Sequence, residues 1–287
     1  MTTYELLAAP FVDFGFMRRA LVACLALALG SAPVGVLLVL RRMSLVGDAM
    51  AHALLPGAAL GAAVAGFSLW AMSLGGFLAA LAVAVAASWL TQRTAQREDA
   101  SFTALYLIAL AAGVMLVSSR GSSVDLMHLL FGSVLAVDDA ALLLVAGVAS
   151  VSLLALAAAY RPLVVACIDP SWLRQMGAGG WAGTVLLVLA VANLVACFQA
   201  LGTLMSVGLM MLPATSARFW VARIAPQMAV AALLALLSGV AGLLLSFHGE
   251  QASGPAIVLV AGGFYLLSLL FGTREGLLWQ GRRGGLA

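Results

Sequence analysis

An all-α bundle of membrane-spanning helices is the fold class this sequence predicts, and three observations predict it. The 287 residues are 64% hydrophobic and 9% charged, with a mean hydropathy of +1.14, far from the balance of a soluble domain. Apolar runs of about 20 residues, the length that crosses hydrocarbon, recur along the chain and supply about nine spans. No long hydrophilic insert interrupts them, so residues 1–287 read as a single transmembrane domain.

The N-terminal residues, with Tyr4, Glu5, Pro10 and Asp13, form a short amphipathic approach to a first span over about 17–40, which Arg41 and Arg42 stop. A second span covers about 46–68 and a third about 70–91, with Phe67 and Trp70 as an interfacial belt between them. The solvated stretch 91–99 leads to a fourth span at about 101–118. Residues 120–132, with Asp125 and His128, are too polar to span and too apolar for an ordinary loop; they suit a re-entrant or surface helix. A fifth span at about 139–159 is followed by a soluble loop, Tyr160 to Gly180, and a sixth span at about 181–200. The seventh element, Gly202 to Arg218, is short and is expected to be broken by Pro213. Spans at about 228–247 and 255–272 complete the bundle.

All the Lys and Arg residues are arginines. Eleven of them (41, 42, 93, 97, 161, 174, 218, 223, 274, 282 and 283) fall on one side and Arg18, Arg19 and Arg120 on the other, which puts the C-terminus and the 160–180 loop in the cytoplasm. Most of the basic charge is thus spent on topology, no basic face forms, and nucleic acid is excluded as a partner. Without lysine there is no Gly-Lys-Ser/Thr phosphate loop, so the chain does not bind ATP by that route. Cys24, Cys167 and Cys197 are scattered and odd in number, which suits small core residues rather than a disulfide or metal framework.

Ionisable groups inside the second span are the exception to this apolar pattern. Asp48 and His52 are one helical turn apart, so a carboxylate and an imidazole share a face and can grip one cation. Counted from Arg41, His52 lies about 16 Å into a hydrocarbon core of about 30 Å. An Asp at that depth costs about 2.5–3.5 kcal/mol and ordinarily faces a bundle interior or a pathway. Pairing with each other or capping the helix is the structural alternative. Pro56 and Gly57 would loosen the helix beyond them, and Gly57 with Gly61 has the spacing of close helix approach. One Asp plus one His leans toward zinc over manganese.

Weaker candidates lie elsewhere. His248 and Glu250, two residues apart in an outward-facing loop, could hand a cation inward, or they are ordinary loop polarity. Asp125 and His128 fit a helical surface, and Met205, Met210 and Met211 fit packing better than soft ligation. In the cytoplasmic loop, Asp169 or Pro170 can open a short helix, Trp172 and Leu173 give it an apolar side next to Arg174, and Gly177 can end it. Such a helix could dock in a partner's groove, or it is only a connector.

The stretch Gly47-Asp48-Ala-Met-Ala-His52-Ala-Leu-Leu-Pro56-Gly57-Ala-Ala-Leu-Gly61 resembles the signature of the permeases of ABC-type zinc, manganese and iron importers. The resemblance extends, in order, through Asp125 to Leu135, through Gly202 to Arg218 with its Pro-Ala-x-x-Ala-Arg ending, and to Ser253-Gly254-Pro255. It implies a permease homodimer in the bacterial inner membrane, beneath a periplasmic metal-binding protein and driven by two copies of a cytoplasmic ATPase. It places Asp48 and His52 at the ligand positions of the pathway, and the segment from Asp169 to Gly177 at the helix that meets the ATPase. The permease itself would be no enzyme and would hold no permanent cofactor, the metal being cargo. The chain departs from the family pattern near its outer end, where Glu250 stands slightly early and His248 is added. A proton-coupled secondary metal carrier is the second reading. An intramembrane hydrolase is the third, without His-Glu-x-x-His or Gly-x-Ser-x-Gly to support it.

Overall fold

A computed structural model describes residues 4, 7–66, 68–94, 98–119, 137–169, 181–274 and 276–278. Among them the chain forms ten helices: α1 (Ala9–Asp13), α2 (Gly15–Leu40), α3 (Ser44–Ala65), α4 (Leu69–Arg93), α5 (Glu98–Ser119), α6 (Asp139–Ile168), α7 (Trp181–Leu201), α8 (Thr203–Arg218), α9 (Ile224–Gly249) and α10 (Ser253–Phe271). Seven of these are long and apolar enough to cross a bilayer; α5 carries a shorter apolar stretch, Ala100–Met115, and α8 has only 16 residues. The nine segments read from the sequence are helices, most of them at bounds within a few residues of those expected.

Burial separates a centre from a periphery. The apolar window of α2 is 78% buried and that of α7 67%, whereas the other span-length helices range from 22% to 44%. Helix α2 packs on α6, α7, α8 and α9, while α3, α4 and α5 form a layer held to the rest mainly through α7. Small residues permit the closest approaches. A methyl group at Gly35 would strike the Met210 carbonyl oxygen of α8, and methyls at Gly57 and Gly61 would strike the carbonyl oxygens of Gly75 and Ala71 on α4. Backbone thus touches backbone, as the small-xxx-small spacing of 57 and 61 requires.

Among the described residues, side-chain hydrogen bonds tie neighbouring helices together at several points. Buried Asn193 of α7 donates through Nδ2 to Ser152 Oγ of α6 (2.7 Å) and to its own turn at Leu189 O (2.8 Å). Gln199 Nε2 donates to Ser73 Oγ on α4 (2.7 Å), whose hydroxyl donates to Leu69 O (2.6 Å). At one end of the bundle Arg19 pairs with Asp139 (3.3 Å), and Phe14 packs on Phe247 with ring centroids 5.3 Å apart. At the other end Trp220 Nε1 donates to Ser268 Oγ (2.9 Å) and Arg274 N to Phe219 O (3.1 Å), tying the turn after α8 to the end of α10.

Three sequence expectations change. Pro213 does not break α8, which is continuous. Thr215 Oγ1 donates to the carbonyls of Met211 (3.0 Å) and Leu212 (2.9 Å), and Ser216 Oγ to Leu212 O (2.7 Å), in the turn that follows the proline. The fifth span does not stop near 159: α6 bends at Ala159 (φ −108°, ψ 17°) and continues to Ile168, so the first part of the expected 160–180 loop is helical. Leu163, Ala166 and Cys167 continue its buried face, which keeps the segment docked beyond Pro162. The 91–99 loop is also shorter than expected, since α4 runs to Arg93 and α5 begins at Glu98. Residues 120–136, which include Asp125 and His128, and residues 170–180 lie outside the described residues. The chain turns from α7 into α8 at Gly202, whose φ of 83° suits glycine alone.

Candidate functional site

Helix α3 carries the pair. It starts at Ser44, after a turn at residues 41–43, so His52 lies about 12 Å along the helix rather than 16 Å. His52 Nε2 is 3.7 Å from Asp48 Oδ1, and both side chains are open, His52 by 37% and Asp48 by 55%. The i, i+4 spacing thus produces the expected juxtaposition on a surface of the single chain, not inside its core. The imidazole is not bare on every side: Tyr106 of α5 stacks on it, centroids 5.9 Å apart and rings inclined by 22°. The sequence reading missed Tyr106; its only signal was a lone tyrosine in the apolar run of residues 100–115.

Pro56 and Gly57 lie within the helix and pack against its neighbours. Helix α3 runs unbroken through Pro56, whose ring packs where a side chain at Gly113 of α5 would stand. That contact and the Tyr106 stack, two turns apart on α5, fix α5 against α3. Proline has no N–H, so the His52 carbonyl, four residues back, lacks its helical donor. Gly57 and Gly61 seat the opposite side of α3 on α4. A methyl group at Gly47 would come within 2.6 Å of Met211 Cε, so α8 reaches α3 beside Asp48. Met205, Met210 and Met211 are all buried, which accords with packing.

The other predicted residues do not join this site. His248 ends α9 and is exposed; its Nδ1 lies 2.9 Å from the Leu244 carbonyl oxygen, which in the neutral ring puts the hydrogen on Nδ1 and leaves Nε2 free to ligate. Glu250 is exposed just beyond, in the left-handed conformation (φ 50°), in a turn closed by Ser246 Oγ donating to Gln251 O (2.7 Å). Asp169, exposed, caps the end of α6; Pro170, Trp172, Leu173, Arg174 and Gly177 lie outside the described residues. No group of three or more His, Cys, Asp or Glu side chains placed to hold a metal occurs among the described residues. Among the described residues, α3 offers two donors, short of the four to six that zinc or manganese takes up. Cys24, Cys167 and Cys197 are free and buried.

Comparison with known proteins adds an independent line. The model of the ABC 3 transport family matches residues 13–272. The manganese transport system membrane protein MntC of Halalkalibacterium halodurans is 31% identical over 277 residues, covering 95% of this chain and 94% of that protein. The chelated iron transport system membrane protein YfeD of Yersinia pestis is 31% identical over 273 residues, covering 93% and 89%. Among solved structures, PsaBC from Streptococcus pneumoniae in complex with Fab superposes with a TM-score of 0.84 at 27% identity, covering 98% of this chain and all of the matched one.

Proposed function

Because the chain belongs to the ABC 3 transport family and shares its helical fold with a solved ABC importer permease, we propose that it is the membrane subunit of an ATP-driven importer of divalent transition-metal ions. In this reading the ion passes Asp48 and His52 at the interface of a homodimer. The observation that carries it is the placement of the pair. An Asp that is 55% open on the face of a membrane helix would cost about 2.5–3.5 kcal/mol against lipid. A second copy of the chain on that face removes the cost and doubles the donors from two to four. Four donors with a mixed carboxylate and imidazole character suit a first-row divalent ion.

The donor chemistry alone leans to zinc, but the relatives carry manganese and chelated iron in their names. Manganese is therefore the first ion to test, with zinc and iron beside it. The mechanism is alternating access. A periplasmic metal-binding protein docks at the end marked by Phe14, Phe247, His248 and Glu250 and releases the ion inward. Asp48 and His52 of both copies replace part of its hydration shell. Two cytoplasmic ATPase subunits, gripping the segment from Asp169 through Gly177, supply the work that opens the cavity to the cytoplasm. His248 and Glu250 remain a lower-ranked outer relay. The topology is that of a multi-pass protein of the bacterial inner membrane, with the arginine-rich ends of the helices inside.

The test is uptake of manganese and zinc by vesicles holding the chain with its ATPase and binding protein, comparing wild type with Asp48→Asn and His52→Ala at matched protein levels. Loss of ATP-dependent uptake in both variants, with the complex intact, is the expected result. Unchanged uptake would make the pair structural. Uptake that persists without the ATPase would favour the proton-coupled carrier instead.

A further inference from the structure

A groove of about 590 Å³ opens on the side of the bundle, walled by Leu29 and Pro33 of α2, by Leu156 and Tyr160 of α6, and by Met228 and Ala232 of α9 among others. Its lining is almost wholly apolar, and none of its walls comes from α3, so it belongs to a different part of the surface from the Asp48–His52 face. Two prolines shape it. Pro33 stands in the α2 wall, and Pro162 follows the bend at Ala159 that turns the end of α6 aside.

Two arginines follow or precede the lining residues along the chain at one end of the groove. Along α6 the lining residues run from Leu153 to Tyr160, and Arg161 follows directly; along α9 they begin at Ala225, two residues after Arg223. The two helices are antiparallel there, so both arginines stand at the same end. Both are exposed, and no carboxylate among the described residues pairs with either. Arg223 is also the N-cap residue of α9, a 26-residue helix whose first N–H groups receive no side-chain cap. An apolar channel with two exposed arginines and a helix N-terminus at one end of its walls is complementary to an acyl chain carrying a phosphate. A zwitterionic headgroup would bring a second, positive charge to the same place.

We propose that this groove binds an anionic phospholipid of the surrounding bilayer, with one acyl chain lying between α2, α6 and α9 and the phosphate held by Arg161 and Arg223. Since α6 bends beside it, the bound chain fills the space that the bend leaves. The end that holds the phosphate is the arginine-rich one, which puts the lipid in the leaflet that presents anionic headgroups to basic residues.

The complex of the full chain with its ATPase, taken from nanodiscs of equal phosphatidylglycerol and phosphatidylcholine, would be examined by native mass spectrometry for retained lipid. Wild type is expected to retain phosphatidylglycerol over phosphatidylcholine by about tenfold. The double variant Arg161→Gln/Arg223→Gln should lose that preference, and Ala229→Trp, which fills the groove without touching the arginines, should lower retention of both lipids. Equal retention of the two lipids by wild type would overturn the proposal, as would a preference that survives the double variant. A single cysteine introduced as Ala229→Cys provides the second check, because the native cysteines are buried. Disulfide formation between two copies through it would show that a second chain, not lipid, covers the groove. None of these readouts depends on transport through Asp48 and His52.

Discussion

Tyr106→Leu is expected to weaken metal binding without disturbing assembly, and the size of the effect follows from one contact. The phenol ring stacks on the His52 imidazole at 5.9 Å with a 22° inclination, inside the 4.5–7 Å range over which aromatic pairs attract. Such a pair contributes about 0.5–1.5 kcal/mol. If it holds the imidazole in its ligating orientation, losing it lowers affinity by about 2- to 12-fold, at about 1.4 kcal/mol per tenfold. Tyr106→Phe keeps the ring and should bind like wild type. The measurement is equilibrium binding of manganese to the full chain with its ATPase in nanodiscs, with size-exclusion profiles to verify that the complex is intact. Wild-type affinity in the leucine variant would refute the reasoning. Equal loss in the phenylalanine and leucine variants would instead assign the effect to the hydroxyl.

Two further predictions concern packing. Gly61→Leu forces a side chain into the Ala71 carbonyl and should destabilise the α3–α4 contact by about 1–3 kcal/mol; Gly262→Leu, into open space, should leave the detergent melting temperature unchanged or raised. A double-mutant cycle on Asn193→Ala and Ser152→Ala should give a coupling of about 0.6 kcal/mol, the usual size for a hydrogen bond between membrane helices. A coupling indistinguishable from zero would show that the bond is formed equally well in the unfolded state.

The helices were legible because hydropathy and length suffice in a bilayer, where every backbone group must be satisfied within its own segment. Their mutual arrangement was not. Helices such as α2 and α5 are apolar all round, so no polar stripe says which neighbour each side meets. Glycines gave the best clue, and the GxxxG spacing of 57 and 61 does mark a close approach, although nothing in the sequence names Gly75 and Ala71 as the surfaces approached. The pairing of Asp48 with His52 could be read from i, i+4 geometry alone. Tyr106 could not, because it lies more than fifty residues away and meets His52 only through the Pro56–Gly113 contact that sets α5 against α3. Pro213 misled because proline signals a break in water, whereas a membrane helix buried against its neighbours runs on through it here.

The bend in α6 also has a mechanical meaning. Thirty residues of helix measure about 45 Å, half as long again as a hydrocarbon core of about 30 Å. The part beyond Ala159 is nine residues long, about 13 Å from the bend to its tip. A rotation of about 10° at the bend sweeps Ile168 through about 2 Å, with no other turn of α6 having to unwind. Because Leu163, Ala166 and Cys167 are buried against the bundle, such a movement would be passed on to the residues they touch.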